Sequence, residues 1–515
     1  MQLRRDFLKL AMAGAIGGAH SAFGPTIAAA AEAAPAADPP NGPTPFDTTT
    51  VIDLARTLAK KPFDAAKAPL PEPFASLTYD QYVAIQPKPG SAVWSGDNVG
   101  FTIDPLHRGF IFAIPMDISI VEGGFARKLT YESAAFDFGK LVIPSGLPDI
   151  GFSGFRVMQP TDGGGAFVVA IYQGASFFRA EARGQNLGVT ARGLSIRTAE
   201  AQGEEFPIFR AVWIEKPMPN VNVLVIHALL DSASLTGAYR FTLRPGEATI
   251  IDTEMTLVAR AAVDHFGLGA MSATYLFGPL DRIRPDDIRP AVHEVGGLQM
   301  LTGKGEWVWR PVSNRETLQI SAFADENPRG FGLLQRNRSF DAYQDDDQHW
   351  ERRPSLWIEP IGDWMQGELR LVEIPSDSEN NDNIIAYWRP RNGLAANAEI
   401  AFAYRQFWCW APPARPPLAN VVASRDGKVG KWRRFTVEFH SEDFAKAEVL
   451  AAIKPNLTAS PGRITSVRSF PSKERMSFRV RFDIEPSSDG YCELRLVLEA
   501  DGKPASETWL YRWTA

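Results

Sequence analysis

Between residues 293 and 410 the sequence concentrates aromatic and acidic side chains. The aromatic set comprises Trp307, Trp309, Tyr343, Trp350, Trp357, Trp364, Tyr387, Trp388, Trp408 and Trp410. The acidic set includes Glu294, Asp345, Asp346, Asp347, Glu351, Asp363, Glu379 and Asp382. Aromatic rings can stack on the apolar C–H faces of sugars, while carboxylates and arginines hydrogen-bond to sugar hydroxyl groups. The combination favours a carbohydrate site in this part of the chain.

Two carboxyl groups suffice to cleave a glycosidic bond. One, in its protonated form, donates to the leaving oxygen, and the other activates water or attacks the sugar. The enrichment alone does not identify the pair. Aromatic residues in a β-sandwich are mostly core residues, and acidic runs such as Asp345, Asp346 and Asp347 are mostly solvated loops.

Other catalytic signatures are missing from the sequence. The run Gly163-Gly164-Gly165 lacks the lysine and the helix of a phosphate-binding loop, so it predicts a turn. No HExxH, EF-hand or nucleophile-elbow pattern occurs, and the seven histidines are scattered. We expect no metal and no cofactor. A Ser-His-Asp triad outside the known patterns is left open.

The charge of the chain argues against nucleic acid as a partner. Its 515 residues include 54 basic and 60 acidic side chains, a formal net charge of −6, whereas phosphate binding requires a basic surface. The two cysteines are too few for a disulfide framework or a cysteine-based zinc site. They leave open one disulfide, Cys409–Cys492.

The N-terminus has the pattern of an export signal. Arg4 and Arg5 precede Phe7, Leu8 and Lys9, and a weakly apolar Ala- and Gly-rich segment follows. This pattern favours twin-arginine (Tat) export over an ordinary Sec signal with a coincidental arginine pair. We predict a cleaved Tat signal peptide over residues 1–31, a disordered lead-in over residues 32–45, and a periplasmic mature protein.

Strands are predicted to position these side chains. After one amphipathic helix over residues 46–59 and a second helical turn at 78–85, apolar residues recur with period two or in short runs bounded by Gly, Pro and Asp. No alternation of strands and helices appears. We predict an all-β chain with a large antiparallel β-sandwich over residues 46–392. A small immunoglobulin-like sandwich over residues 393–515 follows, whose first strand is expected at 399–408.

Nine motifs carry a resemblance to a known family. They are GFSGFRV (151–157), GASFFRA (174–180), EEFP (204–207), ALLDSASLTGAY (228–239), GEW (305–307), NPRGFGLLQ (327–335), RPSLW (353–357), DNIIAYW (382–388) and ETW (507–509). In this collinear order, from about residue 46 to 513, the chain resembles the osmoregulated periplasmic glucan biosynthesis family, proteins D and G. The twin-arginine leader is more similar to the D branch.

The resemblance implies a fold and an activity. The family fold is a large galactose-mutarotase-like β-sandwich joined to an immunoglobulin-like domain, which agrees with the strand pattern. Its members act in the periplasm on β-1,2-linked glucan, some as inverting endo-β-1,2-glucanases and others by transfer or binding. The family's general acid corresponds to Asp382. Its base, which activates water through a chain of waters and a substrate hydroxyl, corresponds to Glu294.

Two features depart from the glucanase branch. Glu294 stands where that branch has Asp. Glutamate has a similar intrinsic pKa but is one methylene longer, and a water relay depends on hydrogen-bond spacing. The loop after Leu418 is also shorter, so we expect a smaller lid over the substrate.

Six further residues are predicted to contact the substrate: Asp345, Tyr343, Trp350, Arg353, Trp364 and Trp408. The expected partner is β-1,2-linked glucan, with the membrane glucosyltransferase complex as a second partner and a homodimer left open.

Three functions compete at this point. The first is an inverting glycoside hydrolase or transglycosylase acting on β-1,2-glucan, with Asp382 as acid and Glu294 as base. The second is a non-catalytic glucan-binding or export subunit, which the glutamate at position 294 favours. The third, a structural envelope protein using only its immunoglobulin-like domain, explains the carboxylate and aromatic enrichment least well.

Overall fold

The computed structural model describes residues 42–64, 69–161, 165–281, 286–486 and 490–514. Strands dominate it, as predicted. The first seventeen are β1 (Thr44–Pro45), β2 (Gln86–Pro87), β3 (Thr102–Leu106), β4 (Asp117–Glu122), β5 (Phe125–Lys128), β6 (Phe136–Asp137), β7 (Gly154–Pro160), β8 (Ala166–Gln173), β9 (Phe177–Ala180), β10 (Thr190–Arg192), β11 (Ser195–Ile196), β12 (Ile208–Glu215), β13 (Leu224–Asp231), β14 (Leu235–Arg244), β15 (Thr249–Ala259), β16 (Phe266–Ala273) and β17 (Tyr275–Phe277).

The remaining strands follow without a repeated helix between them. They are β18 (Val292–His293), β19 (Gly297–Leu301), β20 (Trp307–Pro311), β21 (Gln319–Glu326), β22 (Gly330–Leu334), β23 (Ser355–Ile361), β24 (Gln366–Glu373), β25 (Ile384–Pro390), β26 (Glu399–Cys409), β27 (Asn420–Val429), β28 (Trp432–His440), β29 (Lys454–Ser460), β30 (Arg463–Ser472), β31 (Ser477–Glu485), β32 (Tyr491–Ala500), β33 (Lys503–Pro504) and β34 (Thr508–Thr514).

Short helices punctuate the strands. They are α1 (Thr50–Ala59), α2 (Tyr79–Ala84) and α3 (Ala447–Ala452). Helix α1 begins four residues later than predicted. The Asp47 side chain accepts hydrogen bonds from the backbone N–H groups of Thr49 and Thr50, so these residues form a turn before the helix starts. Helix α2 confirms the predicted turn. It starts with a capping box between Thr78 and Gln81.

Two facing sheets form the large β-sandwich, which confirms the predicted all-β class. The longer sheet has the order β1-β5-β4-β12-β13-β14-β15-β26-β23-β22-β19-β20-β34-β32-β29. The second, here called the ten-stranded sheet, has the order β21-β24-β25-β16-β10-β9-β8-β7-β3, with β11 beside β16. The main hydrophobic core lies between them, and it contains Tyr172, Phe178, Phe241 and Trp408.

The ten-stranded sheet has an outer face that carries polar side chains. Side chains alternate between the two faces of a strand. The neighbours of Arg179, Thr190 and Ser272 along the chain all belong to the core, as in the pairs 178/180, 189/191 and 271/273. These three residues therefore point away from the core, on neighbouring strands β9, β10 and β16.

The small domain begins later than the predicted boundary at 392/393. Strand β26, predicted as its first strand, pairs antiparallel with β15 and β23 in the long sheet of the large sandwich. The prediction was wrong by one strand, because period-two alternation reveals a strand but not its partner. The domain change therefore lies near residue 410.

The immunoglobulin-like domain is a sandwich of its own. A four-stranded sheet, β27-β28-β31-β30, faces the end of the long sheet formed by β34, β32 and β29. Phe435, Phe482, Trp509 and Tyr511 pack between the layers. Because β34 pairs parallel with β20, one continuous sheet joins the two domains. Cys409 and Cys492 are buried and form no disulfide.

Candidate functional site

Asp382 lies on the outer face of the ten-stranded sheet, two residues before β25. It is 2% exposed. Its Oδ2 accepts hydrogen bonds from Thr190 Oγ1 at 2.8 Å and Ser272 Oγ at 3.1 Å, and Arg179 Nη2 lies 3.5 Å away. The three donors come from three adjacent strands, so the sheet itself fixes the position of this carboxyl group.

Thr190 connects the arginine to the carboxyl group. Arg179 Nε donates to Thr190 Oγ1 at 2.7 Å, and the same hydroxyl donates to Asp382. A hydroxyl has one donor hydrogen and two acceptor positions. Because the guanidinium can only donate, the hydroxyl hydrogen of Thr190 is directed at Asp382.

Glu294 is held at the end of β16, the strand that carries Ser272. It follows β18 and is 0% exposed. The backbone N–H of Thr274 donates to Glu294 Oε2 at 3.1 Å, and the Glu294 N–H donates back to the Thr274 carbonyl at 2.9 Å. Thr274 Oγ1 also donates to the Asn381 carbonyl at 3.0 Å. Ser272 contacts Asp382, and Thr274 contacts Glu294. This short segment therefore links the two predicted catalytic carboxylates.

Asn383 fixes the loop that carries Asp382. Its Oδ1 accepts from the Tyr275 N–H at 2.8 Å, and its Nδ2 donates to the Ile374 carbonyl at 3.0 Å. Asp and Asn side by side are common turn residues. Here the amide ties the turn to two strands and leaves Asp382 on the outer face.

Arg289 links the segments that carry the two carboxylates. Its guanidinium donates to Asp287, to Asp345 Oδ2 at 2.7 Å and to Glu379 Oε2 at 2.6 Å. Glu379 is three residues before Asp382, and Arg289 is five residues before Glu294. Hydrogen bonding to Asp287 first, and then to Asp345 and Glu379, raises the pKa of Arg289. Arg289 thus clamps three loops around the site.

Asp345, Trp350 and Arg353, three of the predicted substrate-binding residues, lie together. Trp350 Nε1 donates to Asp345 Oδ2 at 2.8 Å, and the Arg353 guanidinium lies 5.3 Å from the Trp350 ring centroid. Burial acts to raise the pKa of Asp345, but hydrogen bonds from Arg289, Gln348 and Trp350 hold it below its ordinary value. Asp345 is therefore an anchored anion next to the clamp.

Tyr343 packs beside the base position. Its ring meets His293 edge-on at 5.1 Å, and Tyr275 stacks on the same imidazole at 5.0 Å. Burial lowers the pKa of His293 to about 3, so this histidine is neutral at periplasmic pH. Because His293 precedes Glu294 directly, the two rings hold the backbone that presents Glu294.

Trp364 and Trp408 are placed in the main core. Trp364 meets Phe402 and Tyr404 edge-on, and Trp408 packs against Phe178. Their predicted role as sugar platforms stays a prediction, and their complete burial favours packing. Of the ten tryptophan and tyrosine residues selected above in the enriched region, nine are buried, while Trp410 is 37% exposed. Much of the aromatic enrichment therefore serves the core.

The sequence from residue 46 to residue 513 matches the family model described as "Periplasmic glucan biosynthesis protein, MdoG". The chain belongs to this family. Similar proteins include Glucans biosynthesis protein G from Shewanella baltica (strain OS195), 44% identical over 477 residues that cover 91% of this chain and 87% of the relative. The protein of that name from Rhodopseudomonas palustris (strain BisA53) is 43% identical over 485 residues, covering 94% and 96%.

Family membership confirms the resemblance. The family is described as periplasmic, which implies a periplasmic location for this protein. The relatives named above are called protein G, so the leaning toward the D branch, inferred from the leader alone, stays a prediction. The predicted Tat signal peptide lies outside the described residues. Within the described ranges, no helix is long and apolar enough to span a membrane, and no group of three His, Cys, Asp or Glu is placed to hold a metal ion.

Sequence reasoning missed several residues of this family member's site. Arg179 lies within the family motif GASFFRA, which does not by itself indicate a role for it, and no motif contains Thr190 or Ser272. Glu379 stands out in the sequence only as one member of the acidic set, and no local signal marks Arg289 as its partner. A pattern of polar residues between core residues on three strands was the available signal, but it does not reveal which strands are neighbours.

Proposed function

We propose that this member of the periplasmic glucan biosynthesis family cleaves or transfers β-1,2-linked glucan chains, with Asp382 as general acid and Glu294 as base. The observation that carries the proposal is the setting of Asp382. A buried carboxyl group is held by side chains of three neighbouring strands on the outer face of the ten-stranded sheet, outside the main core.

The reaction follows from the two carboxyl groups. Asp382, in its protonated form, donates its proton to the glycosidic oxygen as the C1–O bond breaks. The oxygen of water attacks C1 from the opposite face, and its proton passes through a relay to Glu294. If the hydroxyl of a second glucan replaces water, the product is a transferred chain. Both reactions invert the anomeric carbon. Each leaves Asp382 ionised and Glu294 protonated, and proton exchange with solvent water restores the starting forms before the next turnover.

The buried position of Glu294 fits a relay better than direct contact. A base that touches the attacking water needs its carboxylate at hydrogen-bond distance from that water. Glu294 is fully buried and accepts from the Thr274 backbone, so protons must reach it through intervening hydroxyl groups or waters. This agrees with the indirect base that the family resemblance implies.

The glucan contacts are proposed around the clamp. Asp345, Trp350 and Arg353 form one cluster, and Arg338 connects it to Trp410 by donating to the carbonyls of Arg353 and Trp410. The exposed ring of Trp410 offers the aromatic surface that the buried tryptophans lack. Tyr343 would then act by holding the His293–Glu294 segment.

A non-catalytic glucan-binding subunit, working beside the membrane glucosyltransferase, is the second candidate. The observation that favours it is again Glu294, since a buried glutamate in the place of aspartate can be retained for structure alone. On this alternative the same face would hold a glucan chain during export without breaking it.

One experiment separates these candidates. Purified mature protein is incubated with linear β-1,2-glucan, and the products are analysed for new reducing ends and for transferred or cyclised chains. Catalysis predicts such products in the wild type and in Asp346→Asn, a control at an exposed acid, and their loss in Asp382→Asn. Unchanged glucan with retained binding would overturn the enzymatic proposal and support the binding subunit.

A further inference from the structure

The four-stranded sheet of the immunoglobulin-like domain has a basic outer face. On β28, Phe435, Val437 and Phe439 belong to the domain core, and on β31 so do Phe478, Val480 and Phe482. By alternation, the residues between them point outward. We call this surface the basic face, and it contains Arg425, Arg434, Arg468, Arg479 and Arg481.

Three of these arginines form a row across the strands. Arg481 lies directly opposite Arg468 on β30, and on its other side it is opposite Thr436, which pairs with Arg425 on β27. Neighbouring strands are about 4.8 Å apart. Like charges directly opposite each other are destabilising, so the Arg468–Arg481 pair is stabilised by nearby negative charge, of which Asp483 supplies one unit.

Two carboxylates of the basic face pair with the other two arginines, and the charges of Arg468 and Arg481 add to that of Arg434 in lowering the pKa of one of them, Asp483. Arg434 Nε lies 2.7 Å from Asp483, and Arg479 Nη2 lies 2.9 Å from Glu438. Arg425 and Arg468 are exposed to solvent. The row therefore keeps a positive charge that these two acids do not cancel.

Exposed apolar rings border the row. Phe470 is 39% exposed. The Arg481 guanidinium carbon lies 4.7 Å from the centroid of the Phe470 ring. Trp432, at the hairpin between β27 and β28, is also 39% exposed, with Lys431 Nζ 5.9 Å from its ring. Basic groups beside exposed aromatic rings suit the headgroup layer of a membrane, where charge meets apolar surface.

The net charge of the immunoglobulin-like domain has the opposite sign to that of the whole chain. Residues 411–515 contain 17 basic and 13 acidic side chains, whereas the whole chain has a net charge of −6. The larger domain is therefore more acidic than the chain as a whole. Near an anionic surface this asymmetry would turn the immunoglobulin-like domain toward that surface and the larger domain away from it.

We propose that the basic face docks on an anionic phospholipid membrane, a role beyond the glucan chemistry proposed above. A neutral glucose polymer offers no counter-charge to the arginine row, whereas phospholipid phosphates do. A face four strands wide also matches a planar partner. Peripheral docking would hold the chain at the membrane surface through its immunoglobulin-like domain.

Vesicle co-sedimentation tests this proposal. Mature protein is mixed with vesicles of phosphatidylglycerol and phosphatidylethanolamine, or of phosphatidylcholine alone, at 0.05 and 0.5 M NaCl. We expect binding only to the anionic vesicles and only at low salt. Replacing Arg425, Arg468 and Arg481 by Gln together should weaken binding about 100-fold, from about fivefold per arginine.

Two controls keep the test specific. The variant Lys60→Gln, Lys88→Gln and Lys140→Gln removes three exposed charges from the large domain and should bind like the wild type. Arg468→Gln alone should not lower the melting temperature, because it removes a like-charged neighbour. Equal weakening by both triple variants, or no binding to anionic vesicles, would overturn the proposal. Binding of soluble dextran sulfate by a protein that does not bind the vesicles would also overturn it, and would assign the face to an acidic polysaccharide.

Discussion

Thr190 Oγ1 donates to Asp382 Oδ2 across 2.8 Å, although the two residues are 192 positions apart in the sequence. The same hydroxyl accepts a hydrogen bond from Arg179 at 2.7 Å. Strand pairing between β9, β10 and β16 brings these groups together. The candidate acid is therefore positioned by the ten-stranded sheet and not by its own loop alone.

Replacing Thr190 by Val should lower glucan turnover by at least tenfold. The change keeps the shape of the side chain but removes the donor to Asp382 and the acceptor of Arg179, and an unsatisfied buried group costs about 1–3 kcal/mol. Thr190→Ser restores the hydroxyl and should recover most of the activity. Rates of reducing-end formation measure both effects. Equal activity of Thr190→Val and wild type would show that the hydroxyl does not position the acid.

Replacing Arg289 by Gln should destabilise the protein and impair turnover together. Three carboxylates lose a shared partner, and because the clamp is partly exposed we expect less than the roughly 3–5 kcal/mol typical of a fully buried pair. Urea unfolding at pH 7 measures the loss. Arg391→Gln, at an exposed arginine whose guanidinium donates to Gln366 Oε1 at 2.8 Å, is the matched control and should change the unfolding free energy by about 0.5 kcal/mol or less.

The effect of Arg289→Gln should depend on pH. Arg289 holds the pKa of Asp287 low, and it helps to hold that of Asp345 low against burial. Carboxylates with lowered pKa stabilise the folded state above their ordinary pKa, and this contribution is lost as pH falls through the folded value. The difference between wild type and variant should therefore shrink as the pH falls below about 4. A constant difference across this range would contradict the clamp.

The burial of neutral His293 should lower the free energy of unfolding as the solution is acidified. Its pKa is about 3 in the fold, because burial disfavours the charged form, against an ordinary value of about 6.5. Between these values the unfolded chain binds a proton and the folded chain does not, so stability falls as pH decreases from about 6.5 to about 3. In His293→Gln the unfolding free energy should depend less steeply on pH, by an amount that corresponds to at most one bound proton. Unfolding free energies of both proteins, measured at several pH values, give the comparison.

Glu294→Gln should lower turnover by about 100-fold or more while glucan binding is retained. Gln has nearly the same shape and can still accept from the Thr274 N–H, but it cannot take a proton, and a general base typically contributes about 10²–10⁴-fold. Isothermal titration with β-1,2-glucan reports binding, and product analysis reports turnover. Full activity in Glu294→Gln would remove Glu294 from the mechanism.

The sequence allowed the all-β class, both sandwiches and the family to be predicted, because alternation and turn residues are local signals. The partner of β26 was not predictable, since its alternating pattern fits the edge of either domain. Asp382 and Glu294 could be selected only through family motifs. Thr190 and Arg179 escaped because their role arises from contacts 192 and 203 residues away along the chain. The tryptophan excess was also ambiguous, since most of those rings fill the core.

The central claim, that Asp382 donates the proton to the leaving oxygen, is tested most directly by changing the leaving group. Wild type and Asp382→Asn are compared on linear β-1,2-glucan and on a β-1,2-linked oligosaccharyl β-fluoride, whose fluoride leaves without full protonation. We predict that Asp382→Asn loses about 10²–10⁴-fold in rate on the glucan but much less on the fluoride. An equal loss on both substrates, or no loss on the glucan, would contradict the assignment of Asp382 as general acid.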